Sequence, residues 1–188
     1  MIRVIALIST ALLVPMPMQN DWTAVKTGRP HTVSARVTVV LPPGWVYSDS
    51  KNGVLATHDG ALLELVSISV MPHAEAFAAA HRRSSPEEPP EDLAESYLAN
   101  LQAGETALAG VQVLETTPAE IAGQPGFRVY LRYRTAADLG GVAMEQIAVG
   151  AALPSGLLLA TFDAPALHYF DTYRVLFETM LETLQRPR

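Results

Sequence analysis

Four extended stretches, Val111–Ile121, Phe127–Arg134, Val142–Ala152 and Leu157–Phe162, follow one another with only turns between them. The turns are Gly123-Gln124-Pro125-Gly126, Asp138-Leu139-Gly140-Gly141 and Pro154-Ser155-Gly156, each with a glycine to let the backbone reverse. Parallel neighbours would need a crossover of roughly a dozen residues or more, which these turns cannot supply. The second half of the chain is therefore committed to an antiparallel sheet, and any helix must bury its apolar face on that sheet.

The first half adds strands of the same kind. Arg36–Leu41 is β-branched and extended, and Pro42-Pro43-Gly44-Trp45 ends it because proline has no ladder donor. A short strand is expected around Trp22–Val25. Asn52-Gly53 and Asp59-Gly60, both hairpin dipeptides, bracket Val54–Thr57 and lead into Leu62–Met71. There Val66, Ile68 and Val70 face one way, and Ser67 and Ser69 the other. Ala74–Arg83 reads as a short Ala-rich helix and Ser84–Pro90 as a loop. Glu91 and Asp92 then open a helix whose Leu93, Tyr97, Leu98 and Leu101 form one stripe, with Gly104 as its stop. A final helix is expected with Asp163 as its cap, Pro165 in its first turn, and Leu167, Phe170, Phe177, Leu181 and Leu184 toward the core. No repeat or second core interrupts the pattern. Residues 21–188 thus read as one α+β domain, an antiparallel β-sheet on which the helices bury their apolar stripes.

Residues 1–20 have a different character. Arg3 precedes an apolar run, Val4 to Val14, broken by Pro15 and Pro17. That length fits the ~7–15 apolar residues of a secretory signal better than the ~20 needed to span a bilayer. No clean A-x-A cleavage site follows. The segment is expected to be a signal peptide or, if uncleaved, an N-terminal anchor and the chain's one membrane contact, a buried strand or helix being the remaining alternative. The address that follows is export to the periplasm or cell envelope.

Composition narrows the chemistry. With 49% hydrophobic and 17% charged residues the chain is not a disordered one. A net charge of −6 argues against general nucleic-acid binding, which needs cations to neutralise phosphates. The absence of cysteine excludes disulfides, thiolate metal sites, a cysteine nucleophile and the lipid-bearing cysteine of a lipoprotein. The five histidines, His31, His58, His73, His81 and His168, fall in no ligand spacing such as H-E-x-x-H, and no nucleophile elbow, P-loop or G-x-G-x-x-G is present. Tyr47–Gly53 has the look of a calcium loop, but Lys51 and the lack of a terminal glutamate make it a turn. Glu87-Glu88 and Glu91-Asp92 read as an exposed loop and a helix start. No metal, cofactor or catalytic residue is expected.

The order of elements resembles the PsbP/Mog superfamily, which takes in DcrB-like and LpqN-like envelope proteins. The residues that carry the resemblance are Val40-Leu-Pro-Pro-Gly-Trp45, Glu91–Leu101, Ile121-Ala-Gly-Gln-Pro-Gly-Phe-Arg128, Gln146–Gly150, Leu157–Phe162 and Phe170–Leu184. The resemblance spans nearly all of residues 36–185. It implies an antiparallel sheet flanked by helices, an α/β/α sandwich, and a mostly non-enzymatic membership of small secreted proteins, lipoproteins, assembly factors and chaperone-like binders. It carries no shared catalytic residues.

One local pattern points to binding. Alternation along Phe127–Arg134 puts Phe127, Val129, Leu131 and Tyr133 on one face and Arg128, Tyr130, Arg132 and Arg134 on the other. Same-face neighbours lie ~6.5–7 Å apart, so the stripe is ~20 Å long. Arginine captures carboxylate or phosphate in bidentate fashion. The bland reading is that Glu115, Glu120 or Glu145 on neighbouring strands neutralise the arginines. The expectation is a non-enzymatic envelope module whose partner-binding residues are Arg128, Tyr130, Arg132, Arg134 and Trp45, the partner being an envelope protein. The alternative is a carrier of a small amphiphile or lipid in a cleft between sheet and helix.

Overall fold

A computed structural model describes residues 22–26, 28–34, 37–105, 107–136 and 140–186. The segment read as a signal or anchor, Arg36 at the start of its strand, and Asp138 and Leu139 in their turn lie outside the described residues. The strands are β1 (Thr23–Ala24), β2 (Pro30–Ser34), β3 (Val37–Val40), β4 (Val46–Ser50), β5 (Gly53–Thr57), β6 (Leu65–Met71), β7 (Ala109–Ile121), β8 (Gln124–Arg134), β9 (Ala143–Leu153) and β10 (Gly156–Pro165). The helices are α1 (Pro90–Leu101), before β7, and α2 (Tyr169–Glu182), after β10. Eight strands form one antiparallel sheet in the order β1-β4-β5-β6-β10-β9-β8-β7, while β2 and β3 make a separate ribbon. This is the α+β architecture that the turns require.

Tight turns set the register. Ala122 and Gly123 both adopt positive φ, 51° and 70°, which gives the two-residue connection of the β7–β8 hairpin the twist its strands need. At Gly126 a Cβ would come within 2.1 Å of the Gly150 carbonyl, so β8 reaches β9 there only because the side chain is missing.

Alternation then makes two cores. On one face Val54, Ala56, Val66, Ile68, Ile147, Val149, Leu158, Ala160 and Phe162 meet Phe170, Phe177 and Met180 of α2. Phe162 stacks on Phe170 and Phe177, with centroids 5.3 and 5.6 Å apart. The β2–β3 ribbon lies on this side and joins the chain end, Thr38 and Gln185 exchanging backbone hydrogen bonds of 2.8 and 3.0 Å. On the other face Phe127, Val129, Leu131, Tyr133, Ala148 and Leu157 pack with Leu93, Ala94 and Tyr97 of α1 and with Ala76 and Phe77.

Four expectations differ: the turn read at Gly123–Gly126 is Ala122-Gly123, with Gln124–Gly126 already paired in β8, and three elements change. Ala74–Arg83 holds only a 3₁₀ turn, Ala78–Ala80, because one large apolar side chain, Phe77, anchors it to the core and the surrounding alanines give no stripe to dock a longer helix. Tyr47–Gly53 is mostly strand: β4 pairs with β5 up to Ser50–Gly53, and the turn shrinks to Lys51-Asn52. Asp163 does not cap a helix. Phe162 and Ala164 are fully buried on either side of it, so the strand runs on to Pro165, opposite Met144. The helix starts after His168, whose φ is 72°, and Leu167 is left 86% exposed instead of joining the core stripe.

Candidate functional site

The arginine stripe lies on β8 as alternation requires, on the α2 side of the sheet, yet most of it is engaged. Arg128 forms a two-pronged ion pair with Glu178 of α2, Nη1 to Oε2 at 3.0 Å. Arg132 donates through Nε to Glu145 Oε1 at 3.1 Å and again through Nη2. Tyr130 donates its hydroxyl to the other oxygen of Glu145 and stacks on Phe170, 5.5 Å between centroids. Burial, then the Glu145 hydrogen bond, push the Tyr130 hydroxyl up to about 12. Glu145 is among the cross-strand partners that sequence suggested; Glu178 is not, since only the fold brings α2 over β8. These contacts tie helix and sheet together.

Arg134, at the end of β8, is different. It is exposed, and its guanidinium donates to the Gly141 carbonyl at 3.0 Å. Beside it runs β7, the last strand in the order, whose outer edge pairs with nothing among the described residues. β7 is exposed over most of its length, with Val113 and Leu114 at 42% and 38%. Bulges between Ala109 and Gln112 and between Val113 and Glu115 twist this edge, and Pro118 removes one donor.

Trp45 cannot join this corner. It is 1% exposed and packed edge-on against Tyr173 and His58, at 5.7 and 6.3 Å, because the Pro-Pro-Gly turn folds its indole into the core rather than outward. Its surroundings form a structural lock. Tyr173 donates to Asp59 Oδ2 at 2.6 Å, and the carboxyl of Asp59 is held below its ordinary value by that bond and by His58. Buried Glu64 accepts from the Thr57 hydroxyl at 2.7 Å and from the backbone N–H of His58 and Asp59, and so fixes the Asp59-Gly60 turn.

A polar network on the α1 face has no counterpart in the sequence reading. Tyr97 donates to Gln146 Oε1 at 2.5 Å, and Gln146 Nε2 donates to Asp163 Oδ1 at 2.7 Å. Tyr133 donates to the same oxygen at 2.9 Å, and the Thr161 hydroxyl also bonds Asp163. Burial dominates the balance and raises the Asp163 carboxyl to about 6; the hydrogen bonds that favour its charge only partly offset that. Burial likewise pushes the Tyr97 and Tyr133 hydroxyls up. Polar residues at inward positions of β9 and β10 were the available signal, but their meeting depends on the register Asp163–Gln146, which no single strand discloses.

A cavity of about 250 Å³ opens where the start of α1 crosses the outer strands, lined by Pro90, Glu91, Ala94, Thr116, Pro118 and Phe127 among others. It is a sheet–helix cleft beside the β7 edge.

No family model matches the sequence, and no curated protein does. Solved structures that share the architecture include two that align over most of the chain. Cyanobacterial PsbP (CyanoP) from Synechocystis is 13% identical, with a TM-score of 0.59 over 88% of this chain and 98% of that one. LpqN from Mycobacterium tuberculosis, described as involved in cell envelope biogenesis, is 12% identical, with a TM-score of 0.56 over 89% of this chain and 91% of that one. The chain has a PsbP/LpqN-like fold, as the resemblance implied.

Proposed function

We propose that the protein is an exported, non-catalytic binding module of the cell envelope, and that it holds a partner protein along the β7–β8 corner. The observation that carries this reading is the open edge of β7, with Val113 and Leu114 exposed and Arg134 beside them. An unpaired edge offers a partner strand a row of backbone donors and acceptors, and exposed apolar side chains add specificity. The signal-like start of the chain and the fold shared with LpqN support the envelope setting.

The binding face differs from the stripe read in the sequence. Arg128, Tyr130 and Arg132 hold the sheet to α2 and to Glu145, so Arg134 is the cation of the stripe that a partner reaches most easily. The test is crosslinked capture from the native envelope with wild type and with Val113→Lys/Arg134→Glu, both shown to melt cooperatively. One abundant protein held by wild type and lost in the variant is expected. Capture that survives the variant would remove the corner from the account.

The cleft of about 250 Å³ at the start of α1 is the observation behind a second reading, a carrier that holds only one end of a small amphiphile there. Mass spectrometry of protein purified from its host would find a stoichiometric ligand in that case and none in the first.

A further inference from the structure

At the opposite end of the strand order from β7, a cavity of about 280 Å³ lies between β1, the β2–β3 ribbon and β4. Lys26 and Arg29 line it together with His31, Tyr47, Val25 and Leu41. We propose that this cavity is a binding pocket for a phosphate-bearing group, with Lys26 and Arg29 supplying the charge.

Geometry holds the walls. β1 pairs with β4 through Thr23–Tyr47, the Val25 N–H donates to the Trp45 carbonyl at 2.9 Å, and β2 pairs with β3. The His31 ring packs 4.5 Å from that of Tyr47, and His31 Nε2 lies 2.7 Å from Asp49 Oδ1. That carboxylate is thus turned to histidine, and neither Lys26 nor Arg29 has an ion-pair partner among the described residues. Among the described residues Arg82, Arg128 and Arg132 pair with a glutamate, and Lys26 and Arg29 stand apart from the remaining cations in that they share one cavity. In a chain of net charge −6, two unmatched cations on one cavity are a local reversal of sign. An ammonium and a guanidinium together offer more donors than the two oxygens of a carboxylate use, and suit a tetrahedral oxyanion. Val25, Leu41 and the Tyr47 ring supply apolar wall on which the carbon beside a phosphoester rests. The volume falls just short of the ~300 Å³ at which small-ligand sites begin, enough for a headgroup and too little for a whole lipid.

The same chemistry comes from a soluble phosphate or from an anionic lipid headgroup, and two arms separate them. The first follows the backbone amides of the full chain by NMR as inorganic phosphate is added. The second compares flotation of the full chain with phosphatidylglycerol and phosphatidylcholine vesicles, which cancels any contribution of the apolar residues 1–20. Both use wild type, Lys26→Glu/Arg29→Glu, and Arg83→Glu/Arg174→Glu, a control with the same change in net charge on exposed residues elsewhere. Circular dichroism melts confirm that all three fold. Saturable shifts over residues 23–31, weakened roughly tenfold in the first variant and unchanged in the control, are expected for a soluble phosphate. Preference for phosphatidylglycerol with the same dependence assigns a lipid headgroup. If neither arm separates Lys26→Glu/Arg29→Glu from the control, the proposal is overturned, and the partner-binding corner at β7 is untouched by that result.

Discussion

Asp163→Asn should stabilise the protein at neutral pH, and its effect should vanish in acid. Asp163 is half-buried on β10 and accepts from Gln146, Tyr133 and Thr161, yet burial raises its carboxyl from an ordinary 3.8 to about 6. The folded state therefore prefers the protonated form. As pH rises from ~4 to ~6 the unfolded chain releases this proton before the folded one does, so stability falls through that window and levels off above it. The gap between 3.8 and about 6 corresponds to at most about 3 kcal/mol. Asparagine keeps a carbonyl oxygen for Gln146 and Tyr133 and turns its amide toward Thr161, whose hydroxyl rotates to accept. Urea melts of wild type and variant at several pH values read the difference directly. It should be near zero at pH ~4 and grow to ~1–3 kcal/mol in favour of the variant by pH ~7. A variant less stable than wild type at neutral pH, or a difference that does not change across the window, would refute the reasoning.

Other substitutions test the division of labour along β8 and the packing beneath it. Arg132→Glu sets a second carboxylate against buried Glu145 and should lower the melting temperature, whereas Arg134→Glu, which breaks only a hydrogen bond to the Gly141 carbonyl, should leave it nearly unchanged; paired thermal melts distinguish them. Phe177→Ala removes a fully buried ring stacked on Phe162 and should cost ~3–5 kcal/mol in chemical denaturation. Gly126→Ala forces a Cβ onto the Gly150 carbonyl, so its urea midpoint should fall steeply, while Gly110→Ala, on β7 with open space around it but positive φ, should lose only ~1 kcal/mol.

The sheet was legible because its turns are short: Asn52-Gly53, Gly123 and Pro154-Ser155-Gly156 leave consecutive strands nowhere to go but beside one another. Apolar stripes required α1 and α2 to pack on the sheet, and the family resemblance, not the stripes, implied one helix on each face. What failed were places where one local signal stood against a tertiary one. Asp163 with Pro165 reads as a helix start, but Phe162 and Ala164 continue an alternation that the sheet enforces. The arginine stripe was correctly set on one face of β8, while its pairing with Glu178, fifty residues on, needed α2 in position. Trp45 followed a turn motif that looked exposed, and only the packing of Tyr173 and His58 around its ring discloses a core residue. Lys26, Arg29 and His31 lie within one short polar stretch, but nothing in it marks a cavity before β1, β4 and the β2–β3 ribbon wall one in.

Docking of a partner protein on the open β7 edge is the proposal most directly open to test. A photo-crosslinking amino acid placed at Val113, and in a parallel strain at Val175 on the exposed side of α2, tests it in the native host. A discrete adduct of one size is expected at position 113 and none at 175. Adducts at 175 alone, equal labelling at both positions, or none at either would contradict the proposal.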